Sequence, residues 1–309
     1  MNPIRAVLLW ASENRVLAER LPRMRFVRAS VSRFMPGESV EDALAAAAKL
    51  ATRGVPASFT NLGEHVIDDS QADAVAKHYL DVLGEIESRG MDVEISVKPT
   101  HLGLELGREG TAGRLARLAE RADAAGTWVW LDMESTAHVA ATVDLYAELR
   151  TRFPKTGLCL QAYLHRSPGD LADLLALDPS IRLVKGAYRE PREHALQERS
   201  AIDRRYLELA EQFMRDGAGR LALGSHDLEL LDRVQATAER RGFAPGRLEI
   251  QMLYGIRAAD QIRLAAAGRR VRTLIAYGTH WYPWYLRRLA EKPTNVWFVL
   301  RNLLARRAA

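Results

Sequence analysis

The run Ile181-Arg-Leu-Val-Lys-Gly-Ala-Tyr188 is followed by Arg199-Ser-Ala-Ile-Asp-Arg-Arg-Tyr-Leu-Glu-Leu-Ala-Glu-Gln-Phe-Met-Arg-Asp216 and then by Arg220-Leu-Ala-Leu-Gly-Ser225. The outer two runs are short, apolar and rich in residues that suit strands; the middle run is longer, charged and rich in Ala and Leu. A strand, a long helix and a second strand in that order make a βαβ unit with parallel strands.

The unit recurs on both sides. Candidate strands are Ala57–Leu62, Val93–Lys98, Trp128–Met133, Leu158–Leu164, Ile181–Tyr188, Arg220–Ser225, Leu248–Tyr254 and Val271–Tyr277, eight in all. Few carry internal charges, so they are expected to be buried on both faces, as parallel strands are. Between them lie helical patterns at Asp69–Ser88, Thr111–Ala125, Thr136–Arg150, Asp170–Leu177, Arg199–Asp216, Asp227–Arg241 and Ala258–Ala267. The first opens on an Asp-Asp-Ser capping cluster, and several end at a glycine that permits the left-handed backbone of a helix stop.

Eight such units without a long linker predict a (β/α)₈ TIM-like barrel of the α/β class, residues 56–309, behind an N-terminal helical arm or cap, residues 1–55, that includes the Ala-rich Val40–Ala51. The alternative is an open doubly wound sheet. That fold usually carries a Gly-rich dinucleotide loop after its first strand, and the nearest match, Gly107-Arg-Glu-Gly110-Thr-Ala-Gly113, has the wrong spacing and follows the second strand.

The 309 residues are 48% hydrophobic and 27% charged, an ordinary globular balance, and no run approaches the ~18 apolar residues of a membrane span. A cytoplasmic protein is expected. The single cysteine, Cys159, excludes an internal disulfide and multi-Cys zinc patterns, and its apolar setting favours a core thiol over a nucleophile. The net charge of +5 is spread along the chain, without the aromatic-interleaved basic patch of a nucleic-acid binder. Scattered positive charge instead favours a small anionic substrate or cofactor.

In a barrel of this kind the chemistry sits where the strands end. Those ends carry Lys98, Asp132, Glu134, Gln161, Tyr163, Arg182, Lys185, Ser225, His226, Gln251 and Tyr254. Lys98 reads as a Schiff-base lysine, an anion ligand or an ion-pair partner, and Asp132 as a general base or a salt-bridge partner. His226 has no second His or Cys near it in sequence, so no metal is expected. Arg287 and Arg288 fall early in a helix that starts near Pro283, with Glu291 spaced to pair with either, and a guanidinium there can clamp a carboxylate bidentately. Residue chemistry alone thus reaches a barrel enzyme for a small carboxylate or phosphate.

The same segments resemble the proline dehydrogenase family. The runs are Ile95-Ser-Val-Lys98, Trp130-Leu-Asp-Met-Glu134, Leu160-Gln-Ala-Tyr-Leu164, Arg182-Leu-Val-Lys-Gly-Ala-Tyr188, Gly224-Ser-His-Asp227, Gln251-Met-Leu-Tyr-Gly255 and Arg287-Arg-Leu-Ala-Glu291, in family order. The resemblance implies an FAD across the strand ends, oxidation of L-proline to Δ1-pyrroline-5-carboxylate, and delivery of electrons to a membrane quinone. It implies that Lys98, Arg287 and Arg288 hold the substrate carboxylate, that Asp132 supports the polar network, and that Arg182 lies near flavin N5 and O4. Met133, Gln161, Lys185, Gly186, Ala187, Ser225 and His226 would line the cofactor, Leu253 would pack beside its ring, and Glu291 belongs to the cofactor side. Two positions depart from the family pattern: Leu274 and Trp284 stand where tyrosines usually pack around the substrate ring. Proline is the expected substrate; hydroxyproline, a pipecolate-like amine or an N-substituted glycine is the alternative. A non-catalytic flavin-binding barrel is a further possibility, against which the retained basic residues argue. The segment Asn295–Arg307 reads as a last barrel helix or as a basic amphipathic helix for peripheral membrane contact.

Overall fold

The computed structural model describes residues 31–63, 66–282 and 284–286. Its elements run α1 (Val40–Ala51), β1 (Ala57–Asn61), α2 (Asp69–Ser88), β2 (Val93–Val97), α3 (Arg108–Ala124), β3 (Val129–Leu131), α4 (Thr136–Arg150) and β4 (Thr156–Gln161). They continue α5 (Ser167–Leu174), β5 (Ile181–Val184), α6 (Arg199–Asp216), β6 (Leu221–Gly224), α7 (Leu228–Arg240), β7 (Leu248–Leu253), α8 (Ala258–Ala266) and β8 (Val271–Tyr277). Every strand is parallel to its neighbours, and β1 pairs with both β2 and β8, which closes the barrel.

Local chemistry sets the helix ends. Ser39 and Asp42 form a reciprocal capping box at the start of α1, and Asp68 accepts the Gln71 N–H at 2.8 Å at the start of α2. Seven of the eight strands stop one to four residues before the expected runs do, and the chain keeps some ladder hydrogen bonds beyond them. There Asp132 still donates its N–H to the Val97 carbonyl at 2.8 Å, and Tyr163 to that of Lys185 at 2.9 Å, from outside regular strands. Helix α3 begins at Arg108, three residues earlier than expected. The Asp170–Leu177 helix instead spans Ser167–Leu174 and tightens into a 3₁₀ turn over Leu175–Leu177.

Register decides which side chains face inward, since paired residues in a sheet share a face. The pairs Phe59–Ile95, Leu131–Leu158, Leu160–Leu183, Leu183–Leu223 and Leu223–Ile250 lie outward, buried beneath the helices in one continuous core. Burying each such side chain stabilises the fold by roughly 1.5–3 kcal/mol relative to leaving it exposed. The other face pairs Ser58 with Glu94, Ser96 with Trp130, Cys159 with Arg182, Ala222 with Glu249 and Gln251 with Arg272. The strands are buried on both faces, as expected, yet the inner face is polar and ionic where a barrel interior is usually branched aliphatic.

Helix α1 packs on β8 and β1, the place an eighth crossover helix would take. Ahead of it Val31, Phe34 and Met35 join Leu62, Ala276, Trp281, Tyr282, Tyr285 and Leu286 in a second apolar cluster. Glu38 ties the two ends together, accepting from Trp281 Nε1 at 2.9 Å and, through its carbonyl, from the Gly278 N–H at 3.0 Å. Of the N-terminal arm, residues 1–30 lie outside the described residues, as does the Asn295–Arg307 segment.

Candidate active site

Two strand ends and the body of β5 assemble one charged cluster toward the mouth of the barrel; Arg182, expected at a strand end, is the second residue of its strand. Lys98 follows β2, Asp132 follows β3, and Arg182 projects inward from β5. Asp132 Oδ1 accepts from Ser96 Oγ at 2.7 Å and from Arg182 Nη2 at 2.6 Å, while Oδ2 lies 3.6 Å from Lys98 Nζ. Arg182 Nη2 also donates to Ser96 Oγ at 2.5 Å, and Nη1 to Gln251 Oε1 at 3.2 Å. The guanidinium stands 5.1 Å from the Trp130 ring centroid. Side-chain exposure is 5% for Arg182, 12% for Lys98 and 19% for Asp132, so the lysine and the aspartate are its more accessible members. Two cations around one carboxylate leave a net positive centre inside a low-dielectric wall, which suits an anionic ligand.

Beneath it the barrel floor is a second ionic network. Arg220 bridges Glu94, at 2.5 Å, and Glu249, while Arg272 reaches Glu249 at 3.1 Å, Glu94 at 3.3 Å and Asp92 at 3.0 Å. Burial works to raise the Glu249 carboxyl, but Arg220 and Arg272 outweigh it and hold it below the usual range. Trp130 separates the two networks: Nε1 donates to Glu94 at 2.7 Å, and the ring lies between Arg182 and Arg220, whose guanidinium carbon is 5.4 Å from its centroid. Gly157 makes room for that ring, since a Cβ there would meet Trp130 at 2.3 Å.

Loops build the rim. Glu134, buried, holds Thr100 through its N–H at 3.0 Å and its hydroxyl at 2.5 Å. Gln161 donates Nε2 to the Glu134 carbonyl at 2.7 Å, and its buried Oε1 has no hydrogen-bond partner. Lys185 sits between Asp203 and Asp227, 2.9 Å from the latter, and Arg199 Nη2 is 3.2 Å from Asp227. Burial works to raise the Asp227 carboxyl; the Lys185 hydrogen bond and charge outweigh it and hold the group low. Gly186 has φ +130°, a conformation that disfavours other residues, and a Cβ there would meet Tyr163 at 2.3 Å.

The sequence model of the family described as proline dehydrogenase matches residues 43–301. The chain belongs to the proline dehydrogenase family. It is 33% identical to the proline dehydrogenase of Deinococcus radiodurans over 97% of each chain. It is 31% identical to proline dehydrogenase 1 of Bacillus subtilis subsp. natto, over 97% of this chain and 99% of that one. Among solved structures, proline utilization A from Bdellovibrio bacteriovorus superposes with a TM-score of 0.80 at 22% identity, covering 93% of this chain. The protein from Corynebacterium freiburgense gives 0.73 at 20% identity, covering 99%. The chain spans about a third of those two larger proteins (36% and 35%), and at these identities they bear on the fold alone.

In this proline dehydrogenase family member, Lys98, Asp132 and Arg182 come together as one bonded cluster. Met133 and Gln161 are buried at the rim beside it, and Gly186 and Ala187 are exposed on the loop after β5. Ser225 and His226 follow β6, where Ser225 Oγ accepts the Asp227 N–H at 3.2 Å. Leu253 and Leu274 are register partners on β7 and β8, both partly exposed inside the barrel. Trp284 packs against the second apolar cluster. Arg287, Arg288 and Glu291 lie outside the described residues. Cys159 is buried and free; burial pushes its thiol up, against the Arg182 charge, as for a core thiol. Sequence reasoning missed Ser96, Trp130, Glu94, Glu249, Arg220 and Arg272 as one inward-facing set. The available signal was alternation, Glu94 and Ser96 in β2 and Glu249 and Gln251 in β7 placing polar residues at every second position, which the apolar outer face obscured.

Proposed function

We propose that this chain is an FAD-dependent proline dehydrogenase that converts L-proline to Δ1-pyrroline-5-carboxylate. The observation that carries the reading is the Lys98–Asp132–Arg182 cluster at the barrel mouth, where a carboxylate substrate and a redox ring would meet positive charge. Lys98, with Arg287 and Arg288 by resemblance, binds the proline carboxylate, and Asp132 keeps the two mouth cations apart and oriented. The residues present fit FAD: the buried Gln161 Oε1 has acceptor capacity left for a ring N–H, and the Arg182 cation suits a ring that gains electrons. Met133, Lys185, Gly186, Ala187, Ser225, His226, Leu253 and Glu291 complete the cofactor-side set.

When bound, FAD would supply the hydride acceptor and the route by which electrons reach a quinone. The chain's own residues bind, orient and exclude water. Held carboxylate first, the substrate presents the carbon next to its ring nitrogen, and the ring nitrogen must be neutral when the C–H bond breaks. Positive charge around Lys98 favours that neutral amine, and fixed placement lowers the barrier without acid–base chemistry from the protein.

Residues 56–309 form the catalytic barrel in this reading and residues 1–55 its cap, supported by the packing of α1 over β8 and β1. Quinone chemistry calls for a cytoplasmic protein that touches the inner face of the membrane. The basic apolar pattern of 295–307 supports such contact, and no helix among the described residues is long and apolar enough to cross.

A second substrate reading rests on Leu253 and Leu274, a donor-free apolar wall inside the barrel. It admits another small amino acid, such as hydroxyproline, a pipecolate-like amine or an N-substituted glycine. Anaerobic titration of the FAD-loaded protein separates the two. Bleaching of the flavin band at millimolar L-proline or below is expected. A flavin that stays oxidised with proline and bleaches with pipecolate or sarcosine overturns the proline assignment.

A further inference from the structure

We infer that Gln251 is a positioning residue: it fixes the aim of Arg182 by linking that cation to the anion Glu249 on the barrel floor. The inference rests on the proposed place of Arg182 beside the cofactor. Gln251 and Glu249 are alternate residues of β7 and both face inward. Gln251 Oε1 accepts from Arg182 Nη1 at 3.2 Å, and its Nε2 donates to Glu249 Oε1 at 2.9 Å. The same Glu249 oxygen accepts from Arg220 and, at 3.1 Å, from Arg272. Gln251 is 5% exposed and Glu249 2%, so water does not compete for these partners.

The amide has one workable orientation. Reversing it would set the NH₂ against the Arg182 guanidinium and the amide oxygen against the Glu249 carboxylate, two repulsions in place of two hydrogen bonds. Glu249 in turn cannot swing away, because Arg220 and Arg272 hold it on the floor. Arg182 is thus restrained on separate sides: Nη2 by Asp132 and Ser96, Nη1 by Gln251, and one guanidinium face by Trp130. Asp132 and Ser96 are partners on one edge only, so without Gln251 the guanidinium can pivot about Nη2 toward them.

The test compares wild type, Gln251→Met and Gln251→Glu, with Arg182→Met as the reference for full loss of the cation. In Gln251→Met the flavin midpoint potential, read by dye equilibration without amino acid, is expected to fall toward the Arg182→Met value. Its rate of flavin reduction by proline falls about tenfold, equivalent to about 1.4 kcal/mol in the barrier, while the dissociation constant for proline stays within about threefold because Lys98 is untouched. Gln251→Glu restores an acceptor for Arg182 but sets two carboxyl groups side by side. Protonation of one of them relieves their repulsion, so its reduction rate relative to wild type at the same pH rises as pH falls, a ratio that cancels the shared titration of the substrate amine. Gln251→Met that lowers thermal stability yet keeps the wild-type potential and reduction rate overturns the inference; should that variant not fold, a Gln251→Glu with no such rise in the ratio does the same. If wild type itself stays oxidised with proline, the proposed activity falls. Gln251 is then decided by the potential of the FAD-bound proteins and by the Arg182 position in FAD-free crystals, where an unmoved guanidinium in Gln251→Met counts against it.

Discussion

Asp132→Asn removes one charge from the mouth and leaves its shape intact, so the consequence can be worked from the distances. The carboxylate faces Arg182 at 2.6 Å and Lys98 at 3.6 Å, and both cations are largely buried. Breaking a buried pair by removing one partner costs about 3–5 kcal/mol. Asp132 is 19% and Lys98 12% exposed, so water and counterions take up part of the loss, and about 2–3 kcal/mol is the working figure. At about 2 °C per kcal/mol for a chain of this size, Tm should fall by about 4–6 °C. The uncompensated cations then attract anions, so millimolar formate, too small to mimic the substrate ring, should recover part of that loss in Asp132→Asn and little in wild type. Differential scanning calorimetry of FAD-free protein, with and without formate, measures both. An unchanged Tm with no formate response in the variant would refute the view that Asp132 is the anion balancing this mouth.

Gln161→Leu should bind FAD about tenfold more weakly by fluorescence titration, because the buried acceptor offered to the cofactor is lost; equal affinity removes Gln161 from the cofactor site. Glu249 is held below its ordinary pKa of 4.5, so its contribution to stability is full above that value and lost as pH falls through the depressed one. The urea midpoint should therefore be flat from neutral pH to about 5 and fall below about 4, whereas Glu249→Gln should be less stable at neutral pH by about 3–5 kcal/mol with a shallower acid limb. Leu274→Tyr narrows the inner wall and restores the residue usual in the family, so the ratio of kcat/KM for proline over pipecolate should rise about tenfold; an unchanged ratio means the β8 position does not contact the substrate ring.

The alternation of apolar runs with Ala/Leu-rich helical stretches was enough to predict eight strands and the helices between them. The bounds of α1, α2, α4, α6 and β8 agree with that reading to the residue. Helices with clear capping chemistry are set by local interactions, and an apolar run between charged stretches has little option but burial. Lys98, Asp132 and Arg182 were legible for a similar reason: an ionisable group within or just after an apolar strand needs a partner or a ligand.

Which partner each took was decided by the closed barrel alone. Register brings Arg182 of β5 to within 2.5 Å of Ser96 on β2, across 86 positions of sequence, and Arg220 to Glu94 across 126. Residue patterning along the chain was sufficient for the element order and for the ionisable groups that follow β2 and β3. Closure of the barrel determined that the inner face would carry paired charge in two networks on either side of Trp130. The physical reason is that burial of an ion is tolerable only once its counter-ion is within a few ångströms, and strand closure supplies that proximity where spacing along the chain cannot.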